Sequence, residues 1–149
     1  MVKVEIIVFV EKPIEQVFEL ISDIPGYRRW APDKSKFFIE NKITSGGPIG
    51  LGTTYIDQLR WRGKSIGEIV QYQPPAKIKF QQKTFFGLPV FRSKFKYALK
   101  ARKNFTEVTH SAEAMPYGFF KLLEPILSKI VRSERQRTCN AIKRALEEK

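Results

Sequence analysis

Apolar side chains return at every second position near the start of the chain, at Val4, Ile6, Val8 and Val10. That period predicts a strand over roughly residues 3–11. The period then changes. Pro13 stands where a helix can begin, because the N–H it lacks is one the first turn leaves unpaired anyway, and Glu15 suits the positive end of a helix. Ile14, Val17, Phe18 and Ile21 share one stripe at helical spacing. Ser22 and Asp23 end this helix and can cap a second short one from Pro25 to Trp30, which stops before Pro32.

From roughly residue 34 the chain reads as strand after strand. Phe37, Ile39 and Ile43 lead into the turn Ser45-Gly46-Gly47-Pro48, and Gly50 and Gly52 open the next strand at Thr53. Tyr55, Leu59 and Trp61 alternate up to a hairpin at Gly63, which returns through Ile66 to Tyr72 and breaks at Pro74-Pro75. Ile78 and Phe80 alternate with Lys77 and Lys79. After Gly87-Leu88-Pro89, the apolar Phe91, Phe95, Tyr97 and Leu99 alternate with Arg92, Lys94, Lys96 and Lys100. Lys103-Asn104 turns into a last strand from Phe105 to Ala114. Connections this short predict antiparallel neighbours.

The tail from Tyr117 to Glu148 has helical composition and would span roughly 48 Å if continuous. Pro125 inside it predicts a kink or a restart. Leu123, Ile126, Leu127, Ile130 and Val131 form one apolar face, which Ala141, Ile142, Ala145 and Leu146 resume. Between them, residues 132–138 are polar nearly all round, unlike a helix packed along its whole length. One strand, two short helices, six strands and a long helix make an α+β fold, with helices over one face of a curved antiparallel sheet.

Composition narrows the function classes. The 149 residues suit one domain, and no apolar run reaches the length of a membrane-spanning helix. The first residues carry Lys3, Glu5 and Glu11 and no small-residue cleavage site, so they read as a strand rather than a signal peptide, and the expected location is the cytoplasm. One cysteine, Cys139, precludes an internal disulfide, and one histidine, His110, precludes a histidine-based zinc cluster; no metal and no cofactor are expected. The net charge is +12, and the segment from Ile69 to Thr106 holds nine Lys and Arg with no Asp or Glu. Such a field attracts nucleic acid, anionic lipid or an acidic ligand, although a merely solvated face has the same composition.

Several stretches together resemble a known family over nearly the whole chain. They are VEIIVFVEKPIEQVFELISDIPGYRRWAP, GGPIGLGTTY, GEIVQYQPPAKIKF and the ending FTEVTH…FFKLLEPILSKIV…AIKRALEE. In this order they resemble the polyketide cyclase/dehydrase group of the START-like, helix-grip superfamily, which also includes Bet v 1-type ligand carriers. The resemblance implies a seven-stranded antiparallel sheet gripping a long C-terminal helix, with a cavity for a hydrophobic molecule between them. It also implies that Trp30, at the end of the second short helix, either walls the cavity mouth or plugs the helix pair. Members do many jobs, so the fold says where to look rather than what happens there.

Strand alternation supplies the candidates for that cavity. Phe80, Phe91, Phe95, Tyr97 and Leu99 point inward, which sends the lysines and Arg92 to the outer face. Asp57 shares parity with Tyr55, Leu59 and Trp61, so it must be paired, protonated or wet unless a bulge turns it outward. His110 shares parity with Val108, Ala112 and Ala114, as a hydrogen-bonded core residue or as a ligand contact. Phe119, Leu123 and Leu127 either roof the pocket or simply pack. Glu134, Arg135 and Thr138 supply polar contacts if the middle of the helix faces the cavity.

Other chemistry is set aside. The glycines from Gly46 to Gly52 precede a strand and lack the following Lys-Ser/Thr of a phosphate loop. No nucleophile elbow is present, and Cys139 sits far from His110 in the sequence. Aromatic and basic residues alternate from Phe91 to Tyr97 and so face opposite ways, which argues against a nucleic-acid platform. The first expectation is therefore a carrier of a hydrophobic small molecule or lipid. The second is a cyclase or dehydratase with Asp57 and His110 as its acid–base candidates. The third is docking of the basic face on an anionic membrane or on nucleic acid.

Overall fold

The computed structural model describes residues 1–31 and 38–148. Phe37, expected to start the second strand, lies outside them. Strand β1 (Val2–Val10) is followed by helix α1 (Ile14–Ser22) and the single turn α2 (Tyr27–Trp30). Six strands come next: β2 (Phe38–Ile43), β3 (Thr54–Leu59), β4 (Lys64–Gln73), β5 (Lys77–Phe85), β6 (Pro89–Ala101) and β7 (Thr106–Pro116). A 3₁₀ segment, Gly118–Leu123, leads into the long helix α3 (Glu124–Glu147). The strands form one antiparallel seven-stranded sheet in the order β1-β7-β6-β5-β4-β3-β2. The first strand thus pairs with the last, and α1 and α2 carry the chain to the opposite edge.

The helix boundaries follow local chemistry. Asp23 ends α1, and its carboxylate accepts the Gly26 N–H at 3.1 Å, so residues 23–26 form a turn and α2 is shorter than its sequence suggested. Pro125 lies in the first turn of α3, where it restarts the helix after the 3₁₀ segment. The two halves of α3 differ in depth. Cys139, Ile142 and Leu146 pack with Val17, Phe18 and Ile21 of α1 against Val8, Val10, Ile69, Ile78, Leu99 and Val108 of the sheet. Each such fully buried aliphatic side chain contributes about 1.5–3 kcal/mol. The first half of α3 rests Leu127 and Val131 on a smaller buried cluster, Val2, Val4, Ala112 and Ala114.

One inward assignment is corrected, that of Trp61, and strand β2 departs from simple alternation at one position. Ile39 is half-exposed, because the pairing of β2 with β3 shifts register between Phe38 and Glu40 and flips the parity there. Trp61 does not extend β3. The strand ends at Leu59, and Trp61 and Arg62 take φ of 58° and 60° at the tip of a tight hairpin closed by Gly63 N–H to Arg60 O at 3.2 Å. Trp61 is consequently 70% exposed.

The basic segment takes the side that alternation assigns it. Lys77, Lys79, Lys83, Arg92 and Lys94 lie on the face opposite Ile78, Phe80, Phe95 and Tyr97, with Lys79 directly opposite Lys96 and Lys83 opposite Arg92. Strand β7 partly balances this face, placing Glu113 opposite Lys94 and Glu107 opposite Lys100.

Candidate functional site

Beneath the first half of α3 the sheet leaves a cavity of about 310 Å³, in the size range of small-molecule sites. Its inner-face floor is two rows of cross-strand partners. One row runs Asn41, Asp57, Ser65, Thr84, Phe91 and the other runs Tyr55, Gly67, Gln82, Ser93, Ala114. Leu127, Ile130, Val131, Glu134 and Arg135 of α3 form the roof, and Tyr27 and Trp30 of α2 close one side. Gly67 matters to this floor. A Cβ there would lie 2.2 Å from the Tyr55 ring, so the glycine lets the phenol lie flat across β4.

A short polar chain crosses the floor. Gln82 Nε2 donates to Tyr55 Oη at 2.7 Å and to Asp57 Oδ2 at 3.4 Å. Ser65 and Thr84 share a hydroxyl–hydroxyl bond of 2.7 Å. Burial pushes the Asp57 carboxyl up to about 7, and the Arg135 charge and the Gln82 bond only partly oppose that rise. Burial likewise raises the Tyr55, Tyr97 and Tyr27 hydroxyls. The guanidinium carbon of Arg135 stands 4.4 Å from the Phe95 ring centre, a cation–π contact. Trp30 Nε1 and Ser93 Oγ are buried without a hydrogen-bond partner.

The sequence candidates divide into two groups. Trp30, Tyr55, Asp57 and Phe80 line the cavity, as do Phe95, Tyr97 and Leu127. Four others do not. Trp61 is at the hairpin tip. Phe119 (65% exposed) and Leu123 (44%) belong to the 3₁₀ segment, whose geometry turns them outward rather than under α3. His110 faces inward with the parity expected, yet it is outside the cavity lining, beside its cross-strand partner Tyr97 and stacked on it with centroids 4.2 Å apart. Its Nδ1 bonds Lys96 O at 3.1 Å, and burial lowers its pKa to about 3, with Arg135 adding to the fall. The imidazole is therefore neutral near pH 7 and has no path to a ligand. Cys139, also inside, has its thiol pushed up to about 11 by burial and is no nucleophile there.

Alternation also held residues that attention to aromatics passes over. Gln82 shares parity with Phe80 and Thr84, and Ser93 with Phe91 and Phe95; both are polar side chains on inner faces dominated by aromatic and aliphatic residues. Glu134 and Arg135 do face the cavity, while Thr138 is buried and bonds back to Glu134 O at 2.9 Å.

The architecture recurs in solved structures. A START superfamily protein from Mycobacterium smegmatis is 12% identical, with a TM-score of 0.76 and coverage of 98% of this chain and 97% of that one. A conserved protein from Geobacillus kaustophilus, also 12% identical, has a TM-score of 0.77 over 99% of this chain and 96% of that one. A protein of the dynemicin biosynthetic locus is 14% identical with a TM-score of 0.67, covering 97% of this chain and 47% of that longer one. At these identities the likeness establishes the helix-grip fold alone. No curated protein matches the sequence. Among the described residues, no helix is long and apolar enough to cross a membrane. The sequence model described as polyketide cyclase / dehydrase and lipid transport matches residues 1–147, a family association that suggests ligand binding or cyclase-type chemistry. Sheet, gripping helix, cavity and this match together make the chain a member of the polyketide cyclase/dehydrase and lipid-transport family.

Proposed function

We propose that the protein is a carrier that holds a small hydrophobic molecule between the sheet and the first half of α3. The observation that carries this reading is the cavity itself: apolar walls with a few convergent polar groups, where a protein built only for stability would pack side chains. Its edge residue Ile130 is partly exposed, which leaves a route for exchange. Mass spectrometry of the gently purified protein, native and then solvent-extracted, tests the idea. A near-stoichiometric small molecule supports it. An empty protein that also fails to bind the apolar dye N-phenylnaphthylamine refutes it.

A second reading is acid–base catalysis by Asp57, favoured by one observation. A carboxyl titrating at about 7 inside a largely apolar cavity is poised to give or take a proton near neutral pH. Its neighbours Gln82 and Tyr55 would orient a substrate carbonyl or phenol. Asp57→Asn separates the two readings, since a carrier keeps its ligand exchange and an enzyme retains binding but loses turnover.

The carrier reading also indicates where a membrane would be met. The cavity-lining ends of β3, β4, β5 and β6 lie at one end of the sheet, where the hairpin tips project Trp61 and Leu88 beside Arg60, Arg62 and Lys64. Exposed Phe119, Leu122 and Ile126 come from the segment after β7 and the start of α3, at the same end. Apolar side chains interleaved with cations suit an anionic bilayer surface. Binding to phosphatidylcholine vesicles only when phosphatidylglycerol is present, weakening with salt, is the expected behaviour; equal affinity for neutral vesicles refutes the electrostatic part.

A further inference from the structure

The cavity wall holds one guanidinium and one buried hydroxyl without a partner. Arg135 lines it with its guanidinium on the Phe95 ring, and among the described residues no carboxylate stands within salt-bridge distance of that guanidinium. Of the two carboxylates in the cavity wall, Glu134 is drawn to Arg137 at 3.5 Å and Asp57 accepts from Gln82. The charge of Arg135 reaches inward, opposing the burial-driven rise of Asp57, Tyr55, Tyr97 and Cys139 and adding to the fall of His110. Ser93, the next inward residue of β6 before Phe95, keeps a buried hydroxyl without a partner. A guanidinium has five N–H donors and no acceptor, and the buried Ser93 hydroxyl without a partner costs free energy that an incoming acceptor recovers.

We propose that the molecule carried is an amphipathic monocarboxylate, its carboxylate held by Arg135 and Ser93 and its apolar body against Phe80, Phe95 and Leu127. This rests on the carrier reading and adds the chemistry of the ligand's head. A carboxylate fits because it offers only acceptors, in the planar spacing that a guanidinium fork matches. A volume of about 310 Å³ lies at the lower end of ligand sites and suits a single chain or ring system rather than a diacyl lipid. A fatty acid and an aromatic acid share this chemistry.

Displacement of N-phenylnaphthylamine from the full-length protein tests it, with two matched pairs as competitors: decanoate against decanol, and naphthoate against naphthol. At about pH 6 the acids are ionised and Asp57 is mostly protonated. Each favoured acid should bind about tenfold to a hundredfold tighter than its alcohol, the range of a charge-assisted hydrogen bond. A preference within the decanoate pair alone identifies an aliphatic source, and within the naphthoate pair alone an aromatic one. Arg135→Gln should bring the ratio close to one while the dye and the alcohols still bind, and Arg135→Lys should keep part of it. Dye binding that shows no acid preference, or a preference that survives Arg135→Gln, overturns the head-group assignment and leaves the carrier intact. Failure of the wild type, first freed of any co-purified molecule, to bind the dye overturns both.

Discussion

The imidazole of His110 lies flat against the phenol ring of Tyr97, with 18° between the planes and 4.2 Å between centroids. Tyr97 lines the cavity, and His110, its cross-strand partner on β7, stands on its far side from the cavity, completely buried and hydrogen-bonded to Lys96 O through Nδ1. Its work in this arrangement is to support the tyrosine wall. His110→Ala should destabilise the protein by about 2–4 kcal/mol, through a cavity and an unpaired carbonyl. The midpoint of urea unfolding measures that loss. Dye affinity of the folded fraction should stay within a few-fold of wild type. A drop of two orders of magnitude at unchanged stability would put the histidine in the site after all.

Asp57 and His110 have opposite effects on the pH dependence of stability. The carboxyl is raised from its ordinary 3.8 to about 7, so unfolding releases a proton between those values and stability falls as pH rises through them. The imidazole is lowered from 6.5 to about 3, so unfolding takes up a proton and stability falls as pH drops from 6.5 toward 3. Between about pH 4 and 6.5 the two contributions cancel. Arg135 acts on both groups, Gln82 and the nearby Tyr27 face Asp57, and the Lys96 carbonyl faces His110. Asp57→Asn should therefore add a rise in stability with pH, of at most about 1.4 kcal/mol per pH unit relative to wild type. His110→Gln should add a fall of similar size. Urea melts across this window, taken as differences from wild type so that Glu147 and other common groups drop out, measure both slopes. Parallel profiles for all three proteins would show that neither group is perturbed.

Asp57 also bears on ligand affinity. If the head-group assignment is correct, its ionisation above pH 7 puts a second negative charge beside the one Arg135 holds. Affinity for decanoate should then fall several-fold between about pH 6 and pH 8.5 in wild type and stay nearly flat in Asp57→Asn. An identical fall in the variant would trace the pH effect to another group.

How much of this the sequence discloses depends on whether a position is decided locally. Alternation separates Lys77 and Lys79 from Ile78 and Phe80 because both faces of β5 are chemically distinct, and Pro125 marks a helix restart because it lacks an N–H. Asp57 faces the cavity as its parity requires. Ile39 escapes because a register shift belongs to the pairing of two strands, not to one. Trp61 escapes because an apolar residue at strand spacing can also sit in a turn. Phe119 and Leu123 look like a helix face and lie instead in a 3₁₀ segment with a different pitch. The depth of His110 is set by where the Tyr97 ring falls, a tertiary fact with no trace in spacing. Arg135 is visible only as part of a polar stretch; its place over Phe95 follows from how α3 crosses the sheet.

The outer face of the sheet offers a way to separate solubility from docking. Lys79 and Lys96 stand directly opposite one another, and like charges at such positions oppose pairing. Lys96→Glu should raise stability by about 0.2–1 kcal/mol, read as a higher thermal midpoint at low salt, with the gain shrinking as salt is added. Vesicle binding should be unchanged if the membrane is met by the hairpin end of the sheet. Loss of vesicle binding in this variant would move the docking surface to the basic back.

The tip of the β3–β4 hairpin provides the complementary test. Trp61 and Arg62 both hold positive φ, a conformation costly for large side chains, where a two-residue hairpin of this kind favours Asn-Gly. Replacing the pair, Trp61→Asn with Arg62→Gly, should stabilise the protein by about 1–3 kcal/mol if the turn is only a connection. The same change removes an exposed indole and a cation from the end of the molecule where the cavity lies. If that end meets the bilayer, the more stable variant should bind phosphatidylglycerol vesicles several-fold more weakly and exchange its ligand with them more slowly, while dye affinity in solution is unchanged. Strain retained at an exposed tip is then explained by the side chains it presents. A variant that is both more stable and fully competent at vesicles would show that Trp61 serves neither the fold nor the membrane.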